Sequence, residues 1–513
     1  MSHFLGIDIG TQSTKAVLVD ASGKLRSSAS QSYQVDRPAP LHAEQWPEVW
    51  WQAVRHCIST CLAEIDEDTR ADIRGLCISS LYGGSGIPVD ADMQPLHPCL
   101  IWQDRRAEAE AEWVRQHIGL DRLQAITGNG IDSYYGFTKI LWLQRHRPDV
   151  WARTRYLLPP NSYIAWCLTG EVAIDHSSAG NIGGIYAIHA RTWSQELLDA
   201  MDIPVDKLPG RLIDSTAVAG HLQAELADAL GLPEGLPIHI GGVDAAIATF
   251  AAGVTRPGQH VAMLGTSMCW GYIDDSDQAP QGLVSFPYVL DGRRYLYRFG
   301  GALTAGGAVS WFRDRFYRPD HPELGEAELH QRMEAEAAAT PPTAAGLLFL
   351  PYLMGERSPV WDAHASAAFV GLGLQHDRGH LYRAVLEGVA MALRHNIDAG
   401  TAPGNPLDER LIVVGGGAHS DLWMQIIADI TQRDVYTIEQ QVEAALGAAL
   451  LAGIGAGEVS AEAIHGGWIH LQRRASPQAA HASRYQALFE LYRELYPILR
   501  PLQHRLQKLG RAD

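Results

Sequence analysis

"GIDIGTQSTK", Gly6–Lys15, is an alternating apolar run that halts at a Gly-Thr-Gln-Ser turn and then resumes. "FLGIDIG" alternates, "TQS" turns and "TKAVLVD" returns, which predicts a β-hairpin at the very start of the chain. Asp8 lies inside the first strand. The turn behind it offers backbone N–H groups and the hydroxyls of Thr11 and Ser13, with Gln12 between them, to phosphate oxygens. Asp8 could hold Mg2+ directly or through water, and Lys15 adds positive charge. A plain hairpin with a capped turn fits these ten residues equally well. The outline returns in "QHVAMLGTSMCWGYIDD", where Gly265, Thr266 and Ser267 stand where Gly10 to Ser13 stood. Two hairpins with matching turns predict an internal duplication with a boundary near residue 250.

The rest of the chain supports an α/β reading. Its 513 residues exceed the size at which one core divides, so two large domains are expected, 1–248 and 249–513, with a helical tail from about residue 480. "PEVWWQAVRHCISTCLAEI" has helical spacing, and "IRGLCIS" reads as a strand entering the Gly-rich loop "SLYGGSGIPVD". "KILWLQRHRPDVWART" reads as one helix. "LPIHIGGVDAAIATFAAG" reads as strand, Gly turn and small-residue helix, and "ERLIVVGGGAHSDLWMQIIADITQ" as strand, Gly turn and helix with Ser420 as N-cap. The tail "SRYQALFELYRELYPILRPLQHRLQKLG" is a helical pattern broken by Pro497 and Pro501 and is expected to pack on the second domain.

Composition removes several function classes. Apolar residues make up 46% and charged residues 19%, ordinary values for a soluble enzyme. A net charge of −17 repels polyphosphate backbones, so nucleic acid is not an expected partner. No apolar run reaches membrane-spanning length, the N-terminus enters a strand at once, and the six Cys lack C-x-x-C pairing. These features predict a reduced, cytoplasmic protein without a membrane partner. The chain has no G-x-x-x-x-G-K-[ST] and no G-x-G-x-x-G behind a strand, so neither a P-loop nor a dinucleotide fold is supported. His376 and His380 are four apart but lack the rest of a zinc motif.

The positive signals are an isolated acid and clusters of glycine. Asp244 is the one formal charge between Glu234 and Arg256, set at a strand-to-helix junction among residues too small to block a substrate. An acid there is costly to bury. It reads either as a helix N-cap or as a base for phosphoryl transfer, where a carboxylate takes or orients the hydroxyl proton. Gly306 and Gly307 in "GALTAGGAVSW", and Gly415, Gly416 and Gly417 before Ser420, let a flat base or ribose approach bare backbone. Each cluster alone is also an ordinary tight turn.

Taken in order, "GIDIGTQSTK", "EQWPEVWWQA", "IWQDRRA", "GFTKILWLQRH", "LTGEVAIDHSSA", "GGVDAAIA", "LGTS", "PYLMGERSPVWD" and "GGGAHSDLWMQIIADI" make the chain resemble the FGGY family of carbohydrate kinases, over about residues 3 to 470. The resemblance implies two ribonuclease H-like domains with a deep cleft between them. It implies a sugar or polyol bound mostly on the N-terminal domain and MgATP across the cleft, with adenosine on the C-terminal domain. By the same resemblance Asp244 is the catalytic base, and with Asp8 a metal-side carboxylate. Thr11, Gln12, Ser13, Lys15, Gly265, Thr266, Ser267, Gly306, Gly307, Gly416, Gly417 and Ser420 then face the nucleotide. Sugar contacts fall on Tyr82, Gly83, Gly84, Ser85, Trp102, Asp104 and Tyr134, although core packing for Trp102 and a charged helix start for Asp104 are equally open. The segments are most like those of xylulokinases, but "SLYGGSG" stands in place of "QMHG" and Ala245 in place of Asn. D-xylulose is thus the first expectation for substrate, with D-ribulose, L-ribulose, glycerol or erythritol as alternatives. A non-sugar ATPase or actin-like protein is the reading of another class. A homodimer is a further expectation.

Overall fold

The computed structural model describes residues 1–276, 278–401, 406–439 and 443–510. The first hairpin is formed by β1 (His3–Ile9) and β2 (Ser13–Asp20), and β3 (Leu25–Ser32) extends it. Helix α1 (Pro47–Ala63) follows, with Trp50, Val54, Cys57, Ile58 and Cys61 on its buried face. Strand β4 (Ile73–Ser80) is apolar on both faces because it runs parallel to its neighbours in mid-sheet. Then come α2 (Gly136–His146), α3 (Pro160–Thr169), α4 (His176–Asn181), β5 (Val218–His221), β6 (Pro237–Val243) and α5 (Asp244–Ala251). The six strands lie in the order β5–β6–β4–β1–β2–β3.

The second half repeats this plan. Its strands are β7 (His260–Leu264), β8 (Met268–Asp274), β9 (Val284–Pro287), β10 (Leu296–Gly300), β11 (Arg410–Val414), β12 (Asp434–Ile438) and β13 (Leu471–Ala475), ordered β9–β10–β8–β7–β11–β12–β13. Its principal helices are α6 (Gly306–Phe312), α7 (Arg378–Gly400), α8 (Asp421–Thr431), α9 (Ala444–Gly455) and α10 (Ala479–Gly510). In both sheets three antiparallel strands are followed by two parallel ones: β3–β2–β1–β4–β6 matches β10–β8–β7–β11–β12. The Gly10 and Gly265 turns join the first two strands of each set. The likeness of the two hairpins therefore extends to the topology of the halves.

Three expectations change. Residue 248 falls inside α5, which ends at Ala251. Helix α9, late in the chain, covers the first sheet so closely that a Cβ on Gly6 would lie 2.0 Å from the Ala445 carbonyl oxygen and 2.5 Å from the Ala449 nitrogen. The halves thus exchange packing at their seam, which a single cut in the sequence cannot express. The expected helix "KILWLQRHRPDVWART" ends at His146, and Pro148 starts a second one (Pro148–Arg153). Finally, α10 runs through Pro497 and Pro501 without a break. Both prolines are exposed, so the carbonyls they leave unpaired face water, and the buried face of the helix (Tyr485, Leu488, Phe489, Tyr492, Tyr496) stays intact on the second domain.

Candidate active site

Asp244 stands at the break between β6 and α5. Gly241 has φ +67°, and a Cβ there would sit 1.8 Å from the Ile78 carbonyl oxygen, so only glycine fits where the β6–β4 register shifts. The irregularity ends the strand just before the acid. Val243 is the N-cap residue and Asp244 the first helical position, its carboxylate accepting the Ala245 N–H at 2.6 Å. It is therefore not the cap itself. A buried network holds this junction: Asp175 accepts from the Ser178 N–H (2.8 Å), the Asn161 side-chain amide (2.8 Å) and the Ser177 hydroxyl. Ser177 Oγ in turn accepts the Val243 N–H at 3.1 Å, and Asn161 also donates to the Ile240 carbonyl. Sequence reasoning singled out none of these positioning residues; "AIDHSSAGN" lacks any feature that separates a brace from a helix start.

Asp8, in β1, shares this floor. It accepts the Ser79 hydroxyl at 2.8 Å. Burial pushes its carboxyl up to about 6, against the lowering pull of Ser79 and Lys15. Burial, followed by repulsion from Asp8, pushes Asp244 up to about 7. Both residues keep some exposure while most of what surrounds them is protein. Asp8 thus opposes the ionisation of Asp244, and the two acids lie near enough to act on one locus. Among the described residues no group of three or more His, Cys, Asp or Glu is placed to hold a metal. Two carboxylates with water and phosphate oxygens are, however, the donor set that Mg2+ ordinarily takes.

The glycine-rich turns gather as two groups. In the first half the Thr11 hydroxyl accepts from the Trp102 indole N–H at 3.0 Å, and Gly10 N–H closes the turn on the Ser13 carbonyl at 2.9 Å. Gln12 remains exposed. Lys15 is not a free cation: its ammonium pairs with Glu443 at 2.6 Å, tying β2 to the start of α9. In the second half Gly306 and Gly307 donate to the carbonyls of Gly265 and Thr266, each at 2.9 Å. These glycines therefore dock α6 against the turn, and their N–H groups are spent there instead of facing a ligand. Gly415 (φ +96°) lies over Leu264, where a Cβ would approach the carbonyl oxygen to 2.6 Å, and Gly416 opens on nothing within 4 Å. The Ser420 hydroxyl accepts the Trp423 N–H at 3.1 Å as the N-cap of α8. Gly265–Ser267, Gly306–Gly307 and Gly415–Gly417 thus converge around the end of β7, with Gly265, Thr266, Gly415 and Gly416 exposed.

The proposed sugar contacts divide. A small pocket that reaches Val243, the residue before Asp244, is lined also by Tyr82, Gly83, Gly84, Ser178 and Ile182, among others. Tyr82 and Tyr134 pack with ring centroids 5.3 Å apart, and Trp361 from the second half lies 5.9 Å from Tyr134. Asp244 acts electrostatically on Tyr134. Gly83 and Gly84 serve close packing: Cβ atoms there would meet Pro160 at 2.4 Å and the Leu100 carbonyl at 2.1 Å. Ser85 turns away from the pocket, donating to the Gly86 carbonyl (2.7 Å) and accepting from Leu100 N–H (3.0 Å). Asp104 also turns away. It is fully buried and accepts from the Ala43 N–H, the Arg106 N–H and the Arg106 guanidinium. Its lone pairs are committed to folding, because a buried carboxylate must be satisfied.

Three further groups, all in segments that carry the family resemblance, receive no site role from the sequence. Lys139 is completely buried, donates to the Tyr134 carbonyl at 2.6 Å and sits 5.8 Å over both the Tyr82 and Tyr134 rings, burial pulling its ammonium down to about 7. Glu356, raised to about 8 by burial, accepts the N–H groups of Leu303 and Arg357. Arg357 is buried with the Cys269 sulfur at 3.5 Å and the Phe299 ring at 5.2 Å from its guanidinium; Tyr134 and Glu356 act on it electrostatically, and among the described residues its Nε has no hydrogen-bond partner. The other deeply buried arginines, Arg106, Arg298 and Arg383, each pair with a carboxylate.

Comparison with known proteins places these features in one family. Residues 3–251 match the N-terminal domain of the FGGY family of carbohydrate kinases and residues 260–456 its C-terminal domain. The chain is 30% identical over 510 residues to a xylulose kinase of Lactococcus lactis, covering 99% of each. It is 30% identical over 507 residues to a gluconokinase of Bacillus subtilis, covering 97% of this chain and 96% of that one. The crystal structure of xylulose kinase from Rhodospirillum rubrum superposes with a TM-score of 0.89 at 30% identity, covering 98% of this chain and 100% of that one. The chain belongs to the FGGY family of carbohydrate kinases, and it is a two-domain α/β phosphotransferase that takes a sugar and ATP as substrates.

Proposed function

We propose that this enzyme phosphorylates the terminal hydroxyl of a ketopentose, D-xylulose first, to the 5-phosphate, with Asp244 as the base. The observation that carries the reading is the Asp244 carboxylate at the β6–α5 junction, next in sequence to the pocket-lining Val243 and raised by burial and by Asp8 to about 7, the range where a carboxylate exchanges protons near neutral pH. Similarity to xylulose kinases over nearly the whole chain supports the ketopentose.

In this proposal the sugar lies against Tyr82 and Tyr134, which offer aromatic faces to C–H bonds. The Asp175–Ser177 brace fixes the β6–α5 junction so that Asp244 meets one hydroxyl. Thr11 to Ser13 and Gly265 to Ser267 receive phosphate oxygens, and the open backbone at Gly416 receives the adenosine, whereas Gly417 is packed against Leu264 and Trp423. Asp8 and Asp244 would hold Mg2+, which when bound neutralises phosphate charge. Positioning and charge neutralisation supply most of the rate in phosphoryl transfer, so a single well-placed base suffices.

One observation favours a second reading, an aldonate substrate. Arg357 is a buried guanidinium without a carboxylate partner among the described residues, and it acts on Tyr134 and Tyr297, which Asp244 also reaches. A sugar acid with its terminal hydroxyl at Asp244 would present its carboxylate toward that cation. The likeness to a gluconokinase agrees with it. A coupled ADP-release screen over D-xylulose, D- and L-ribulose, D-gluconate, glycerol and erythritol decides between them. Highest kcat/KM with D-xylulose supports the first reading, and highest kcat/KM with D-gluconate replaces it. ATP consumption indifferent to every polyol would refute both.

A further inference from the structure

We propose that Cys269 is a modification site: hydrogen peroxide oxidises its thiol to a sulfenic acid beside the Arg357 guanidinium, and the added oxygen closes the sugar pocket. The proposal rests on the reading of Tyr134 as a sugar contact. Strand alternation aims the thiol at that ring. In β8 the side chains of Met268, Trp270 and Tyr272 join the core of the second half, so Cys269 points to the other face of the sheet. There it packs against the cluster that holds Tyr134, Tyr135 and Tyr297. It acts electrostatically on Tyr134 and Tyr297, the two rings that Asp244 and Arg357 also reach. Thiol, guanidinium and carboxylate therefore meet around one tyrosine.

The charge balance at Arg357 is the second observation. Its side chain is 7% exposed, Nη2 donates to the Cys269 sulfur at 3.5 Å, and Nε has no hydrogen-bond partner among the described residues. Glu356 is adjacent, but burial raises its carboxyl to about 8 and Oε1 accepts two backbone N–H groups, so near neutral pH it supplies little counter-charge. Cys269 favours the charge of the guanidinium more than Tyr134 or Glu356 does. A thiol beside a buried cation gains thiolate character, and the thiolate is the nucleophile toward peroxide. The other five thiols lack this setting. Burial raises Cys57 and Cys61 to about 11, Cys99 and Cys167 to about 12, and Cys77 as well, which keeps them protonated. Cys269 is only half-buried, so a small oxidant reaches it. The thiolate attacks one peroxide oxygen; the S–O bond forms as the O–O bond breaks, and sulfur is oxidised by two electrons. The other oxygen leaves as hydroxide and takes up the proton the thiol released, giving water. The new oxygen gives the unspent N–H groups of Arg357 an acceptor. Two equivalents of a reducing thiol reverse the step, through a mixed disulfide and water.

Dimedone, which forms a thioether with sulfenic sulfur, tests this on the full chain treated with about 0.1–1 mM hydrogen peroxide, the adduct being mapped by peptide mass spectrometry. The adduct should form on Cys269 at least about tenfold faster than on any other cysteine. The best substrate of the ADP-release screen should slow it at least about fivefold. Without dimedone, peroxide should abolish kinase turnover and dithiothreitol should restore it. Cys269→Ser is compared with its own untreated turnover, which peroxide should leave unchanged. Arg357→Met should slow labelling of Cys269 at least about tenfold, with thermal melting as the control for folding. The adduct is read without turnover, so its position is decided whichever sugar the enzyme takes. Prior labelling of another cysteine, no protection by the sugar, or inactivation of Cys269→Ser at the wild-type rate would overturn the proposal.

Discussion

Asp244 should lower the stability of the protein it serves, and Asp244→Asn exposes the effect. Its ordinary value of 3.8 is raised to about 7, by burial first and by Asp8 second. The folded state therefore holds this proton more tightly than the unfolded chain. Between about pH 4 and pH 7 the native state binds more protons, so this group's contribution to stability falls as pH rises through that window and is lowest above it. About three units at ~1.4 kcal/mol each give ~4 kcal/mol, and the partial exposure of Asp244 reduces this to about 2 kcal/mol. Asparagine carries no charge to desolvate. The variant should gain about 2 kcal/mol over wild type at pH 8 and less than about 1 kcal/mol at pH 5. Urea unfolding followed by tryptophan fluorescence at the two pH values measures the difference. A variant less stable than wild type at pH 8, or a gain of equal size at both pH values, would refute the claim that Asp244 is held charged against burial and a neighbouring carboxylate.

Gly241→Ala should cost about 3 kcal/mol and reduce kcat at least tenfold, because a methyl cannot lie 1.8 Å from the Ile78 oxygen and the strain falls three residues from Asp244; melting and turnover together check it. Ser177→Ala removes the acceptor of the Val243 N–H and a donor to Asp175, so stability should drop by about 1–2 kcal/mol and kcat by about tenfold while KM for ATP stays unchanged. Asp104→Ala should destabilise by about 3 kcal/mol, leaving Arg106 short of a partner, yet keep KM for the sugar within about twofold in the folded fraction. A large KM change there would return Asp104 to the pocket.

The repeated hairpins were legible because strand alternation and a Gly-Thr turn are local signals, and Gly10 and Gly265 stand at equivalent places in two sheets of shared order. Asp244 stood out as a lone acid in a small-residue stretch, but that stretch suits an N-cap as well, and the reading of a base came from the family resemblance. What the sequence could not convey was direction. Asp104 and Ser85 have side chains suited to a sugar, but each finds nearer backbone partners and turns away. Gly306 and Gly307 suggest open backbone, yet their N–H groups are taken by the adjoining turn. Lys15 reads as a phosphate cation until Glu443, more than four hundred residues later, is brought beside it by α9. The Asp175–Ser177 brace and the lone Arg357 were invisible for the same reason: their meaning lies in which partners they have or lack, and tertiary packing sets that.

The central claim, that Asp244 takes the proton from the acceptor hydroxyl, meets its most direct test in single-turnover transfer from γ-labelled ATP. Wild type and Asp244→Ala are compared with the best substrate of the ADP-release screen, with ATP affinity measured in parallel. The account predicts that the variant binds ATP within about threefold of wild type and transfers the phosphoryl group at least about a thousandfold more slowly. Transfer within tenfold of wild type would contradict it.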